Sequence, residues 1–218
     1  MQYISRLVRL VFGLFLFALG CVLTMRGNVG YGPWELFHTG LTHLLPLTIG
    51  QITVLTGVVI VVIDALLRES IGLGTLANMI LVGTFMDLIL ATQLLPLAKG
   101  WIDGLALLVL GLFVTATGSY FYISAGFGAG PRDSLMVAIR RFTGLPIGAA
   151  RSALEFTAAA LGFLLCGPLG LGTVLCAVGL GSCVQIVFRL FHFEATAIHH
   201  ENLVDTWRLL SKRTPTAK

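Results

Sequence analysis

Six long apolar stretches make up most of the chain, and short polar segments separate them. Each stretch approaches the roughly 20 residues that an α-helix needs to cross about 30 Å of hydrocarbon. They lie near residues 6–26, 48–67, 73–95, 103–124, 147–167 and 171–192. The pattern predicts an all-α membrane protein with six transmembrane helices in a single membrane domain, residues 1–193. Residues 194–218 mix apolar and charged side chains and are expected to form a cytoplasmic amphipathic tail.

The chain also repeats itself without gaps. Residues 10–89 match residues 108–187 at an offset of roughly 98 positions, and both copies contain a GxGP segment and the string GLGT. The aligned glycines include Gly13 with Gly111 and Gly20 with Gly118. Each copy holds three predicted helices, and an odd number reverses the direction in which the second copy enters the bilayer. The sequence therefore predicts two inverted three-helix repeats, over about residues 6–96 and 103–193.

Composition and charge agree with a membrane protein. Of the 218 residues, 56% are hydrophobic and only 11% are charged, which is too little charge for a soluble surface. Basic residues concentrate at positions 6, 9, 68, 132, 140, 141, 189 and in the tail, whereas the intervening connections contribute only Arg26 and Lys99. The positive-inside rule then places both termini in the cytoplasm. The net charge of +4 follows from this bias, so no nucleic-acid site is inferred from it.

Two GxGP segments open connections between predicted spans. The first contains Gly30, Gly32 and Pro33, and the second contains Gly128, Gly130 and Pro131. Proline suits the first helical position. The helices expected near 33–45 and 131–143 are about 20 Å long, too short to cross the bilayer. They either re-enter the membrane, so that their N-termini meet near the midplane and offer free N–H groups to a substrate, or lie flat in the interface.

An acidic residue lies two positions after each of these prolines. Glu35 and Asp133 are repeat equivalents at the start of a helix, where a carboxylate compensates the helix dipole. Alternatively, they face a polar cavity and bind a cation or a proton, with Arg132 as a salt-bridge or anion-binding partner. Because both repeats keep the acid, Glu35, Arg132 and Asp133 are candidate substrate or ion-binding residues.

Four further polar side chains lie inside predicted spans. Arg151 and Glu155 are one helical turn apart in the fifth span, either as a structural ion pair or as a gate or coupling site. Asp87 and Gln185 are repeat equivalents in the third and sixth spans, where each can bond across a helix interface or line a cavity. These four residues complete the candidate set.

The sequence carries no pattern typical of a catalytic or metal site. It lacks GxSxG, HExxH and GxxxxGK[ST] motifs. The cysteines at positions 21, 166, 176 and 183 lie in or beside apolar spans without CxxC spacing, and they are expected to be small core residues. We therefore expect a protein that is not an enzyme and binds no cofactor or metal.

The strings GYGPWE, GAGPRD and the two copies of GLGT resemble those of the YczE/YyaS/YitT-type integral membrane proteins of bacteria. The resemblance covers essentially the whole membrane part. It implies a multi-pass protein of the bacterial inner membrane, and it transfers no catalytic or binding residue to this chain. Glu35 stands where aspartate is the commoner residue of the family.

Two functions of different classes fit these features. The first is a small secondary transporter or channel that binds an unidentified solute between the repeats, with or without coupling to H⁺ or Na⁺. The second is a non-transporting scaffold or accessory protein. A transporter predicts a polar cavity near the midplane, whereas a scaffold predicts dry packing there. The expected partners are the lipid bilayer, the solute, and further copies of this chain if it forms a homo-oligomer.

Overall fold

The computed structural model describes residues 2–194 and 201–203. Over this part of the chain the fold consists of eight α-helices without a β-strand. The helices are α1 (Gln2–Arg26), α2 (Pro33–Thr42), α3 (Ile49–Leu66), α4 (Leu73–Thr92), α5 (Trp101–Ser124), α6 (Pro131–Thr143), α7 (Ile147–Leu164) and α8 (Leu171–Leu190).

Six of these helices, all except α2 and α6, are long and apolar enough to cross a membrane. The prediction of an all-α membrane protein with six transmembrane helices is therefore confirmed. The short helices α2 and α6 have 10 and 13 residues and begin at the prolines of the two GxGP segments. Of the amphipathic tail expected over residues 194–218, all but residues 194 and 201–203 lies outside the described residues.

Helices α1 and α5 form the centre of the bundle and pack through glycine. A Cβ atom added at Gly13 would lie 2.9 Å from the carbonyl oxygen of Gly118, and one added at Gly20 would lie 2.7 Å from that of Gly111. The residue number rises along α1 as it falls along α5, so the two helices are antiparallel. Such short approaches leave no room for a side chain, which explains why these glycines recur in both repeats.

The GxGP loop of each half packs against the GLGT string of the other half. The N–H of Gly74 donates to the carbonyl of Phe127 at 2.7 Å, and the N–H of Gly172 donates to that of Val29, also at 2.7 Å. These two bonds are equivalent at the 98-residue offset. The contacts between the halves are thus reciprocal, as two-fold-related halves require. Inversion of the halves across the bilayer stays a prediction.

Helix α2 is packed inside the bundle. Leu36 and His38 are fully buried, and the backbone of α2 approaches Gly162 of α7 closely. This packing favours the re-entrant interpretation over a helix lying flat on the membrane surface. One cysteine differs from expectation: Cys166 is exposed, because it follows the end of α7 in a left-handed conformation with φ of 58°.

Candidate functional site

A cavity of about 510 Å³ lies between the two halves, and all eight helices contribute to its wall. Nine of the candidate residues line it: Gly32, Pro33, Glu35, Gly130, Pro131, Arg132, Asp133, Arg151 and Glu155. Gly30, Gly128, Asp87 and Gln185 are not in its lining. The structure thus gathers the charged candidates of α2, α6 and α7 around one space.

Gly30 and Gly128, the first glycines of the two GxGP segments, set the backbone conformation of their loops and do not line the cavity. Gly30 and Gly128 have φ of 114° and 116°, which side chains rarely tolerate. A Cβ at Gly30 would lie 2.6 Å from the Cα of Gly170, and one at Gly128 would lie 2.9 Å from that of Gly72. These two glycines therefore allow the close backbone contact between the two halves.

The N-termini of α2 and α6 meet at the cavity. The guanidinium carbon of Arg132, at the start of α6, lies 4.3 Å from the centre of the Trp34 ring, at the start of α2. A cation over an indole face is attracted by the ring's negative potential. This stack joins the two half-helices across the halves of the protein.

Both helix-start acids are already engaged. Glu35 is 8% exposed, and its carboxylate folds back towards Gly32 at the start of its own helix. The carboxylate of Asp133 accepts a hydrogen bond of 2.7 Å from the Tyr122 hydroxyl. Compensation of the helix dipole accounts for the position of both acids, and both also border the cavity.

Arg151 and Glu155 face the same cavity without pairing directly. Over residues 2–194 and 201–203, the ion pairs within 4.0 Å are Arg6–Glu201 and Arg141–Glu69. The direct bridge that helical spacing allows between Arg151 and Glu155 is therefore absent from this structure. Glu155 still interacts electrostatically with both Arg132 and Arg151. The Glu155 carboxylate and the two guanidinium groups thus line one cavity without forming an ion pair within 4.0 Å.

Asp87 closes the contact between α3 and α4 at one end of the molecule. Its carboxylate accepts hydrogen bonds from the Gly50 N–H at 2.9 Å and from the Thr48 hydroxyl. A Cβ at Gly83 would lie 2.8 Å from the Val54 side chain, so the two helices are in close contact here. Asp87 therefore acts as a cap on the start of α3.

The equivalent contact between α7 and α8 is open. A Cβ at Gly148 or Gly181, the equivalents of Gly50 and Gly83, would meet nothing within 4 Å. Pro146 replaces Thr48 and has no hydroxyl, and Gln185 replaces Asp87. The cavity reaches Ile147, Val184 and Phe188 of these helices, whereas their equivalents Ile49, Met86 and Leu90 do not line it. The cavity therefore reaches the start of α7 and the end of α8, but it stops short of the equivalent ends of α3 and α4.

Sequence reasoning missed a polar stripe along the two central helices. Thr115, Ser119 and Tyr122 of α5 line the cavity, and so do Cys21 and Thr24 of α1, the repeat equivalents of Ser119 and Tyr122. Their spacing of four and then three residues is that of one helix face. Polar residues at that spacing within an apolar span were the available signal.

A buried histidine links α2 to α3. The Nδ1 atom of His38 lies 3.0 Å from the Thr53 hydroxyl oxygen, and that hydroxyl donates to the carbonyl of Ile49 at 2.8 Å. A hydroxyl has one hydrogen, so Thr53 accepts from His38 and the Nδ1 atom carries the proton. The interaction holds α2 against α3 beside the cavity.

The fold and cavity define a six-helix membrane protein with a polar, charged centre, and comparison with known proteins agrees on the family. The profile of the family of unknown function DUF6198 matches residues 4–189, and the chain belongs to this family.

Three relatives are similar to most of the chain. The chain is 36% identical to the uncharacterized membrane protein YczE of Bacillus subtilis over 168 residues, which cover 76% of this chain and 77% of the relative. It is 34% identical to an uncharacterized protein of Haemophilus influenzae over 187 residues, covering 84% and 85%. It is 27% identical to YyaS of Bacillus subtilis over 179 residues, covering 81% and 88%. The resemblance to YczE and YyaS is confirmed. No solved structure matches the chain significantly.

Proposed function

We propose that this protein is a small secondary transporter of the bacterial inner membrane that binds a solute in the central cavity and exposes it alternately to the two sides. In this proposal both termini are cytoplasmic and the two repeats are inverted. The protein carries out no catalytic reaction. Half-helices that meet at a central site, each contributed by one repeat, are the recurrent plan of inverted-repeat transporters.

One observation carries the proposal: the cavity reaches an open contact between the start of α7 and the end of α8, whereas the equivalent contact between the start of α3 and the end of α4 is closed. Two halves with the same sequence pattern here adopt different arrangements. If each half adopted the arrangement of the other, α7 would close onto α8 and α3 would separate from α4. The cavity would then open at the other end of the bundle. By the positive-inside rule, α7 begins on the cytoplasmic side, so the present state faces the cytoplasm.

A static scaffold is the alternative function. It requires neither a charged cavity nor an opening, and dry packing would serve it better because buried charges are costly. The five charged side chains around the cavity, of Glu and Asp or Arg type, therefore favour transport. Coupling to H⁺ or Na⁺ fits the cavity acids, and the solute and the ion are then bound in one space.

Disulfide trapping tests the exchange directly. In a background without the four native cysteines, the variant Thr48→Cys with Asp87→Cys should form a disulfide in molecules whose α3–α4 end is closed, because the two native side chains are hydrogen-bonded in that arrangement. The equivalent variant, Pro146→Cys with Gln185→Cys, should form its disulfide slowly, only as the protein reaches the opposite state. Mass spectrometry of proteolytic fragments identifies each bond.

In a chain carrying both cysteine pairs, each molecule should contain one disulfide or the other. The mixed pair Thr48→Cys with Gln185→Cys is the control, because it joins opposite ends of the proposed mechanism and should stay reduced. Failure of the 146–185 pair to oxidise under any condition would support the scaffold. Molecules with both disulfides would equally exclude the exchange.

A further inference from the structure

The cavity holds side chains of both charges that are kept apart. Its acids are Glu35, Asp133 and Glu155, and its bases are Arg132 and Arg151. In the described part of the chain, none of the five joins an ion pair within 4.0 Å. Charges held in a protein interior without a direct partner are costly, and a ligand that supplies the missing partners recovers that cost.

Two of the three acids have local roles. Glu35 is turned towards the start of its own helix, and Asp133 accepts a hydrogen bond from Tyr122. Glu155 lies beside Trp34 and one helical turn after Arg151 on α7, and its charge interacts with those of both Arg132 and Arg151. Glu155 is therefore the acid best placed to receive a cationic group.

The two arginines offer the complementary charge. Arg132 is held against the Trp34 ring through its flat face, which leaves the N–H groups at the edge of the guanidinium free to donate. Arg151 stands on α7, one helical turn before Glu155. A carboxylate between these guanidinium groups would gain charge-assisted hydrogen bonds.

We propose, on the basis of the transport function above, that the cavity binds a small zwitterion with an ammonium and a carboxylate group. The carboxylate is held by Arg151 and Arg132, and the ammonium group by Glu155. The apolar remainder of the ligand lies against Leu112, Leu180 and Val184. A cavity of about 510 Å³ is within the range that encloses a molecule of this kind.

A set of matched probes tests the ligand class on purified protein in detergent. The zwitterions are L-leucine and 5-aminopentanoate. The singly charged analogues are 3-methylbutylamine and 4-methylpentanoate for the first, and pentylamine and pentanoate for the second. A ligand that binds the folded state raises the melting temperature. We expect at least one zwitterion to raise it more than both of its analogues do at the same concentration.

The proposal is wrong if a singly charged analogue performs as well as its zwitterion, or if none of the six probes raises the melting temperature. After either result, the transport function is still supported if the Pro146→Cys, Gln185→Cys variant forms its disulfide. If that disulfide also fails to form, the transport function is wrong as well. The two failures are therefore distinguishable.

Arg151→Gln locates the carboxylate. We expect the dissociation constant for the bound zwitterion to rise about tenfold to a hundredfold, the effect of one charged hydrogen bond, while binding of the matching amine is unchanged. Arg140→Gln is the control, because Arg140 is exposed on α6 outside the cavity and its loss should affect neither ligand. Equal weakening of zwitterion and amine by Arg151→Gln would overturn the assignment.

Discussion

Replacing Asp87 with asparagine is expected to lower the stability of the protein by about 1–3 kcal/mol, the value of hydrogen bonds to a charged group. The carboxylate accepts bonds from the Gly50 N–H and the Thr48 hydroxyl at the start of α3, and an amide oxygen accepts them more weakly. The loss appears as a lower melting temperature in detergent. It should be accompanied by partial opening of α3 from α4.

The matched control for this change is Gln185→Asn. Gln185 is the repeat equivalent of Asp87, but the α7–α8 contact beside it is open, so shortening its side chain should change the melting temperature little. If the two substitutions have equal effects, Asp87 does not hold the α3–α4 contact closed.

Removing the charge of Glu155 is expected to destabilise the protein by about 1–2 kcal/mol, because Arg132 and Arg151 then line the cavity with less compensating charge. Arg151→Gln should cost less, since Arg132 still compensates Glu155. The double variant should be more stable than Glu155→Gln alone. A double-mutant cycle on the free energies of unfolding measures this coupling.

Arg140→Gln serves as the reference for a surface arginine, where a change within about 0.5 kcal/mol is expected. Additive effects of Arg151→Gln and Glu155→Gln would show that the two charges do not interact. In that case Glu155 would face water independently, and the zwitterion site would lose its acid.

The number of membrane helices, their class and the contact glycines could be predicted because each depends on a local pattern. Apolar stretches of the right length give the six spans, and Gly13, Gly20, Gly111 and Gly118 recur because backbones meet there. The GxGP prolines likewise mark the starts of α2 and α6. These features do not depend on how the helices are rotated or arranged in the bundle.

The composition of the site was harder to predict because it depends on that arrangement. Asp87 could bond across a helix interface or line the cavity, and the structure shows the first, because its carboxylate caps α3. Arg151 and Glu155 have the spacing of an ion pair, but both extend into the cavity instead. Tyr122 and Cys21 were missed because their polar stripe crosses otherwise apolar helices.

A sequence repeat predicts the same helix packing in both halves, so it could not predict where the packing of the two halves differs. The closed α3–α4 contact and the open α7–α8 contact follow from details such as Pro146 in place of Thr48 and Gln185 in place of Asp87. Those replacements are visible in the sequence, but their effect depends on how α3 packs on α4 and α7 on α8.

Alternation between the closed α3–α4 end and the open α7–α8 end is tested most directly by pulsed electron–electron double resonance. The method measures distances within two equivalent spin-label pairs on the protein in lipid nanodiscs. One pair, at Leu47 and Leu94, spans the closed α3–α4 end. The other, at Leu145 and His192, spans the open α7–α8 end at the same 98-residue offset, and all four positions are exposed. We predict a shorter distance for the first pair in the parent protein. In the Asp87→Asn background, the first distance should lengthen while the second shortens. Lengthening of the first without change in the second would mean local opening of α3 alone and would contradict alternating access.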